Sequence, residues 1–172
     1  MWVPVAILFG LLLLAYLAMW RGWRRRARKH DLPPLVTPPD EQQDVLVQAE
    51  GRYFGTTTNG NWLDRVVARG LGTRSPCRLS LSAAGIDVLR PAGSFRIPAA
   101  ALRGARQDQG IAGKVVPPHG VLVVTWQHGD LVLDSGFRLD SMVADGAEEA
   151  TSPAEVHAVL EGRITELVSG RH

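Results

Sequence analysis

Hydrophobic positions change their spacing along this chain. An uncharged block comes first, then a basic run and a proline-rich run, then a long stretch that alternates with period two, and finally a segment with helical period. The opening block, MWVPVAILFGLLLLAYLAMW at residues 1–20, carries no charged side chain. As a helix rising about 1.5 Å per residue it spans roughly 30 Å, the thickness of a bilayer's hydrocarbon core. Trp2 at one end and Trp20 with Trp23 at the other suit the two interfaces, where amphipathic rings settle. A secretory signal places positive charge before its apolar run and a small-residue cleavage site after it. Here that order is reversed, and Ala18-Met19-Trp20 is a poor cleavage site. The pattern predicts an uncleaved transmembrane helix over residues 1–20.

The alternating region predicts short strands. In DVLVQAEGRYFGTT, Val45, Val47 and Ala49 share a face. In CRLSLS, Cys77, Leu79 and Leu81 point in while Arg78, Ser80 and Ser82 point out. IDVLR, SFRI and the weaker LRGARQDQ follow, separated by AAG and PAG turns. VLVVTWQ and LVLDSGF flank His128-Gly129-Asp130, a hairpin signature. About seven antiparallel strands with Gly and Pro turns indicate a barrel or sandwich. The period then changes. Ser152-Pro153-Ala154-Glu155 reads as a capping box with Pro at the first helical position. Val156, Val159, Leu160, Ile164, Leu167 and Val168 form one apolar face, with Glu155, His157, Glu161, Arg163 and Glu166 elsewhere and Gly170 as the C-cap. This helix is placed to plug the open end of the barrel.

Charge refines the picture. Arg21, Arg24, Arg25, Arg26, Arg28 and Lys29 are six of the 19 Lys and Arg residues, and no acid precedes Asp31. The other 13 face 17 Asp and Glu, so the region from residue 31 onward is mildly acidic and does not read as a nucleic-acid binder. A positive flank stays in the cytoplasm. The expected topology therefore has a short N-terminus outside and the C-terminal domain in the cytoplasm, at the plasma membrane. Trp20, Arg21, Trp23, Arg24, Arg25, Arg26, Arg28 and Lys29 form the candidate membrane-interface set. Each cation adds on the order of 1 kcal/mol if it meets anionic lipid. Residues 31–43, DLPPLVTPPDEQQ, complete a segment 21–43 and read as a semi-rigid polyproline spacer between the anchor and a domain at 44–172.

Catalytic signatures are thin. GIAGKVV has two residues between Gly110 and Gly113 where a phosphate loop needs four, and Val115 follows Lys114 where Ser or Thr would hold Mg²⁺. His30, His119, His128, His157 and His172 lack metal-ligand spacing. Cys77 is the sole cysteine, which excludes internal disulfides, and its place in an alternating strand assigns it to the core. No nucleophile elbow is present. No catalytic residue, metal or cofactor is expected.

The stretch GTTTNGNWLDRVVARGLGTR, residues 55–74, is the least ordinary part of the chain. Asn59-Gly60 is strong turn chemistry, and Thr57 and Thr58 can bond nearby backbone. One reading is an elaborate turn, with Trp62 closing the barrel and Asp64 and Arg65 solvated. The other is a docking surface, because Trp and Arg are enriched at binding hot spots. Thr57, Asn59, Trp62, Asp64, Arg65 and Lys114 are the candidate partner-binding residues.

GTTTNGNWLDRVVARGLGTR, FRIPAAALRGARQDQGIAGKVV and VLVVTWQHGDLVLDSGFRL resemble a family of actinobacterial membrane-anchored proteins with a bacterial PH-like domain. The likeness spans nearly the whole chain. The resemblance implies a PH-like barrel capped by one helix behind a transmembrane segment. It offers no established catalytic residues, and genes of the family tend to lie near those of pyrimidine biosynthesis. The expected function is a single-pass, non-catalytic binding or scaffold module at the cytoplasmic face. Its expected partners are membrane lipid and an unidentified protein, with neither nucleic acid nor a small-molecule substrate. The alternative is an accessory subunit of a membrane transport or envelope-assembly complex. Gly10, Ala15 and Ala18 give that alternative only a partial small-residue seam, without GxxxG.

Overall fold

The uncharged N-terminal block is helical, and the helix runs on through the basic residues: α1 spans Val3–Arg28. The computed structural model describes residues 3–28, 32–40, 44–144 and 152–170, with side chains of α1 described for residues 9–22. The chain divides into two units, Met1–Asp31 and Leu32–His172. In the first, Phe9, Leu11, Leu12, Leu13, Leu14, Tyr16, Leu17, Met19 and Trp20 are all exposed. Among the described residues no helix is long and apolar enough to cross a membrane. The expectation for residues 1–20 reaches beyond the described residues, since Met1 and Trp2 lie outside them.

The second unit is a curled antiparallel sheet. Its strands are β1 Val45–Thr58, β2 Asn61–Arg65, β3 Ser75–Ser82, β4 Gly85–Leu89, β5 Phe95–Pro98, β6 Leu102–Asp108, β7 Gly110–Ile111, β8 Lys114–Val115, β9 Val121–His128 and β10 Leu131–Ala144. The main path runs β5-β4-β3-β1-β10-β9-β6, with β2 paired to β1 and β7-β8 a separate hairpin. The path is a half-barrel rather than a closed one. Helix α2, Pro153–Ser169, covers its inner face. Val156, Leu160 and Ile164 are fully buried with Tyr53, Leu79, Phe95, Trp126 and Phe137 in one core. The capping box is half present: Ser152 Oγ accepts from Glu155 N at 3.4 Å.

Alternation along β10 separates two faces. Leu133, Ser135, Phe137 and Leu139 belong to the inner face, while Asp134 and Gly136 belong to the outer. The outer face is covered too. A β-bulge between Tyr53 and Gly55 leaves Tyr53 in the main core and puts Phe54 in a second cluster with Ile111, Ala112, Val121 and Val123. The β7-β8 hairpin thus folds back over the outside of the sheet.

Three features differ from the sequence expectation. His157 is fully buried rather than on the polar face of α2. Its Nε2 accepts the Leu139 N–H at 3.0 Å and its Nδ1 donates to the His119 carbonyl at 2.9 Å, so the ring is neutral and tethers the helix to β10 and to the turn before β9. Burial holds its pKa below the ordinary imidazole value. Ser80 and Ser82 are buried instead of facing out. Ser80 lies in a row across the strands between Gln48 and Asp87, and these longer neighbours shield it. The proline-rich segment is not a free spacer. Leu32 is in the core, Val36 forms a bridge with Arg96 on the β5 edge, and the Arg96 N–H donates to Val36 O at 2.7 Å. Prolines fix the extended geometry that such an edge accepts, and a carbonyl between them is all the bond requires.

Candidate functional site

The unusual stretch is a hairpin followed by a tethered loop. Asn59 and Gly60 turn the chain, with Gly60 at φ 79°, and β2 returns along β1 through Thr58↔Asn61 and Thr57↔Arg65. Asn59 N–H donates to Val132 O at 2.9 Å, and Thr58 Oγ1 donates to Asp64 Oδ2 at 3.0 Å. Arg65 does not face solvent as a free cation. It donates to Gly72 O at 2.9 Å and Ala112 O at 2.7 Å, joining the loop to the β7-β8 hairpin.

The loop is also held from inside. Tyr53 Oη donates to Leu71 O at 2.7 Å. Its one proton being committed, Thr56 donates to Tyr53, Ser135 to Thr56 and Trp126 Nε1 to Ser135 Oγ, a one-way chain of contacts at 2.6–2.9 Å. Burial pushes the Tyr53 hydroxyl up to about 12. Arg90 stacks 4.4 Å from the Tyr53 ring centre and donates to the Gly70, Thr73 and Gly93 carbonyls. Most polar groups of residues 55–74 are therefore spent on fixing the turn.

Trp62 is the exception. It is 47% exposed and lines a cavity of about 350 Å³ on the outer face, between the β1-β2 hairpin and β7-β8. Its lining includes Thr57, Asp134, Arg106, Asp108, Ile111 and Val115. Asp134, 3% exposed, takes Asn59 Nδ2 at 3.1 Å and Thr125 Oγ1 at 2.7 Å on one oxygen, and Arg106 Nη2 at 2.9 Å on the other. Burial works to raise its pKa, but these hydrogen bonds and the Arg106 charge outweigh it and hold the carboxyl below the ordinary range. Arg106 shows the mirror image: burial lowers its pKa and Asp134 more than restores it. The pair is ionised across all ordinary pH.

Of the sequence candidates, Thr57 and Trp62 line the cavity. Asn59 acts through Asp134, Asp64 and Arg65 stabilise the hairpin, and Lys114 is exposed on β8 without lining it. Arg106, Asp108 and Asp134 were not anticipated. Charged residues inside alternating strands read as a solvated face, and only the register shows β6 and β10 brought to one spot by β9. In the basic set, Trp20 and Arg21 are exposed on α1. Trp23, Arg24, Arg25, Arg26 and Arg28 are helical with side chains outside the described set, and Lys29 lies outside the described residues.

Compared with curated proteins, the chain has no match. The model of the Bacterial PH domain-like family matches residues 31–152, from the segment that docks on β5 to the cap of α2, and the chain belongs to that family.

Proposed function

We propose that this protein is a non-catalytic PH-like binding or scaffold module, held at the cytoplasmic face of the membrane by its N-terminal segment and engaging a protein partner at the Trp62 cavity. The observation that carries the docking part is the half-exposed Trp62 beside that cavity, in a stretch most of whose polar groups are already spent on fixing the turn. A large aromatic side chain left partly in water on a rigid hairpin suits a hot spot better than a core position. The anchor and its orientation are supported by sequence: an uncharged run at residues 1–20 followed by six cations and no preceding acid.

The test is crosslinking in intact cells, comparing the parent with Trp62→Ala and with Val143→Ala, a remote apolar side chain that is also exposed. Trp62→Ala is expected to lose the dominant crosslinked species at unchanged melting temperature, and Val143→Ala to keep it. Equal recovery by all three ends the docking reading. C-terminal fusions check the anchor: alkaline phosphatase should be inactive and a fluorescent protein bright, and the reverse pair refutes the orientation.

A further inference from the structure

Resting on that reading, we propose that the cavity receives a lysine or arginine side chain of the protein partner, its charge between the Trp62 ring and Asp108. The charge balance decides the sign. Asp134 and Asp108 stand against one guanidinium, Arg106. That guanidinium is already engaged, with Nη2 on Asp134 at 2.9 Å and Nη1 on Thr125 Oγ1 at 3.2 Å. An anionic ligand would have to compete with Asp134 for it. Asp134 in turn already takes three donors, from Asn59, Thr125 and Arg106, and is nearly inaccessible.

Asp108 is the other carboxylate of the lining. Its Oδ1 takes the Gln109 N–H at 2.7 Å, while Oδ2 lies 3.5 Å from Arg106 Nε, an ion-pair distance longer than a good hydrogen bond. The carboxylate is 41% exposed, so a carboxylate oxygen faces a wet cavity with capacity left. The walls match the rest of such a side chain. Val115, exposed and apolar, suits a methylene stem. A half-exposed indole attracts a cation through its ring face. Gly60 also lines the cavity, and a Cβ added there would meet nothing within 4 Å, which leaves room for the partner's backbone. Lys114, next to Val115, does not line the cavity.

The experiment uses the full chain in detergent micelles with ¹⁵N-labelled tryptophan, following the Trp62 indole resonance, assigned by its loss in Trp62→Phe. Four probes are titrated: N-acetyl-arginine amide, N-acetyl-lysine amide, the neutral N-acetyl-norleucine amide and inorganic phosphate. The two cationic probes should move the Trp62 resonance saturably and leave that of Trp126 in place. Norleucine amide and phosphate should not. Asp108→Asn should weaken the cationic probes by about fivefold or more while Trp126 keeps its position, showing an intact fold. Equal shifts from lysine and norleucine amides overturn the inference in favour of a purely apolar contact. A phosphate response without a cation response overturns it in favour of an anion site. A silent Trp62 with all four probes overturns it as well. If Trp62→Ala still abolishes crosslinking in that case, the docking reading survives and the cation assignment alone is lost.

Discussion

Ile111 sits directly on Gly136: a Cβ added at Gly136 would lie 2.3 Å from Ile111 Cγ2. Glycine at this point of β10 is what allows the β7-β8 hairpin to lie flat on the outer face, with Ile111 only 2% exposed. Gly136→Ala should push the hairpin away and cost about 1–3 kcal/mol, as overpacking does. Ile111→Ala should cost a comparable amount through lost burial. The double variant should be less destabilised than the two losses added, by about 1 kcal/mol, because the new methyl enters the vacated space. Denaturant unfolding of the four proteins measures this coupling, and strict additivity would refute the contact.

The His157 ring carries a pH dependence of known sign. Its folded-state pKa is lowered by burial, with Arg138 acting the same way and the His119 hydrogen bond and Asp140 opposing. The unfolded chain therefore takes the proton more readily. The contribution to stability is fully present above the ordinary value of about 6.5 and is lost as pH falls from there through the folded pKa. Melting temperature should fall from pH 7 to pH 5, and less steeply in His157→Gln. Parallel pH profiles would show that another group is responsible. His157→Ala should lose about 1–3 kcal/mol at pH 7.5, since the Leu139 N–H and the His119 carbonyl lose a partner.

Residues 32–40 are part of the folded unit. Besides the Val36 bridge, Arg69 Nε donates to Leu32 O at 3.0 Å and His128 Nε2 to Pro33 O at 3.0 Å. A chain beginning at residue 44 should melt about 5–10 °C below one beginning at residue 31, chiefly through the loss of Leu32 burial. Amide exchange at Arg96 should accelerate, because its acceptor on Val36 is gone. Identical melting curves would restore the free-spacer description.

Period-two patterning located the long strands and period 3.6 located α2, because burial of one face imposes those periods. Leu160 and Ile164 are buried where the helical face put them. The pattern failed where a second layer covers the outer face. Nothing in the GRYFG segment of β1 announces the bulge that sends Phe54 outward, and a histidine between two acids on a helix, Glu155 and Glu161, reads as solvated until a backbone N–H and carbonyl are found at its nitrogens. The cavity was half legible for the same reason. Trp62 stood out by residue type, whereas Asp134, Arg106 and Asp108 acquire meaning only through the pairing of β6 and β10 with β9.

The register of β1 with β10 has a consequence for how the protein is made. β1 lies at the centre of the sheet path, yet its partner there is the last strand: Val47 pairs with Ala144 and Thr58 with Leu133. As the chain leaves the ribosome, β1, β3, β4 and β5 can assemble early from neighbours in sequence, and β9 and β10 can close as a hairpin later. One edge of β1 stays open until β10 is synthesised, and α2, which seals the inner face, comes later still. Joining the two halves along that seam is the long-range step, the kind that sets folding times in β proteins and leaves strand edges exposed while they wait.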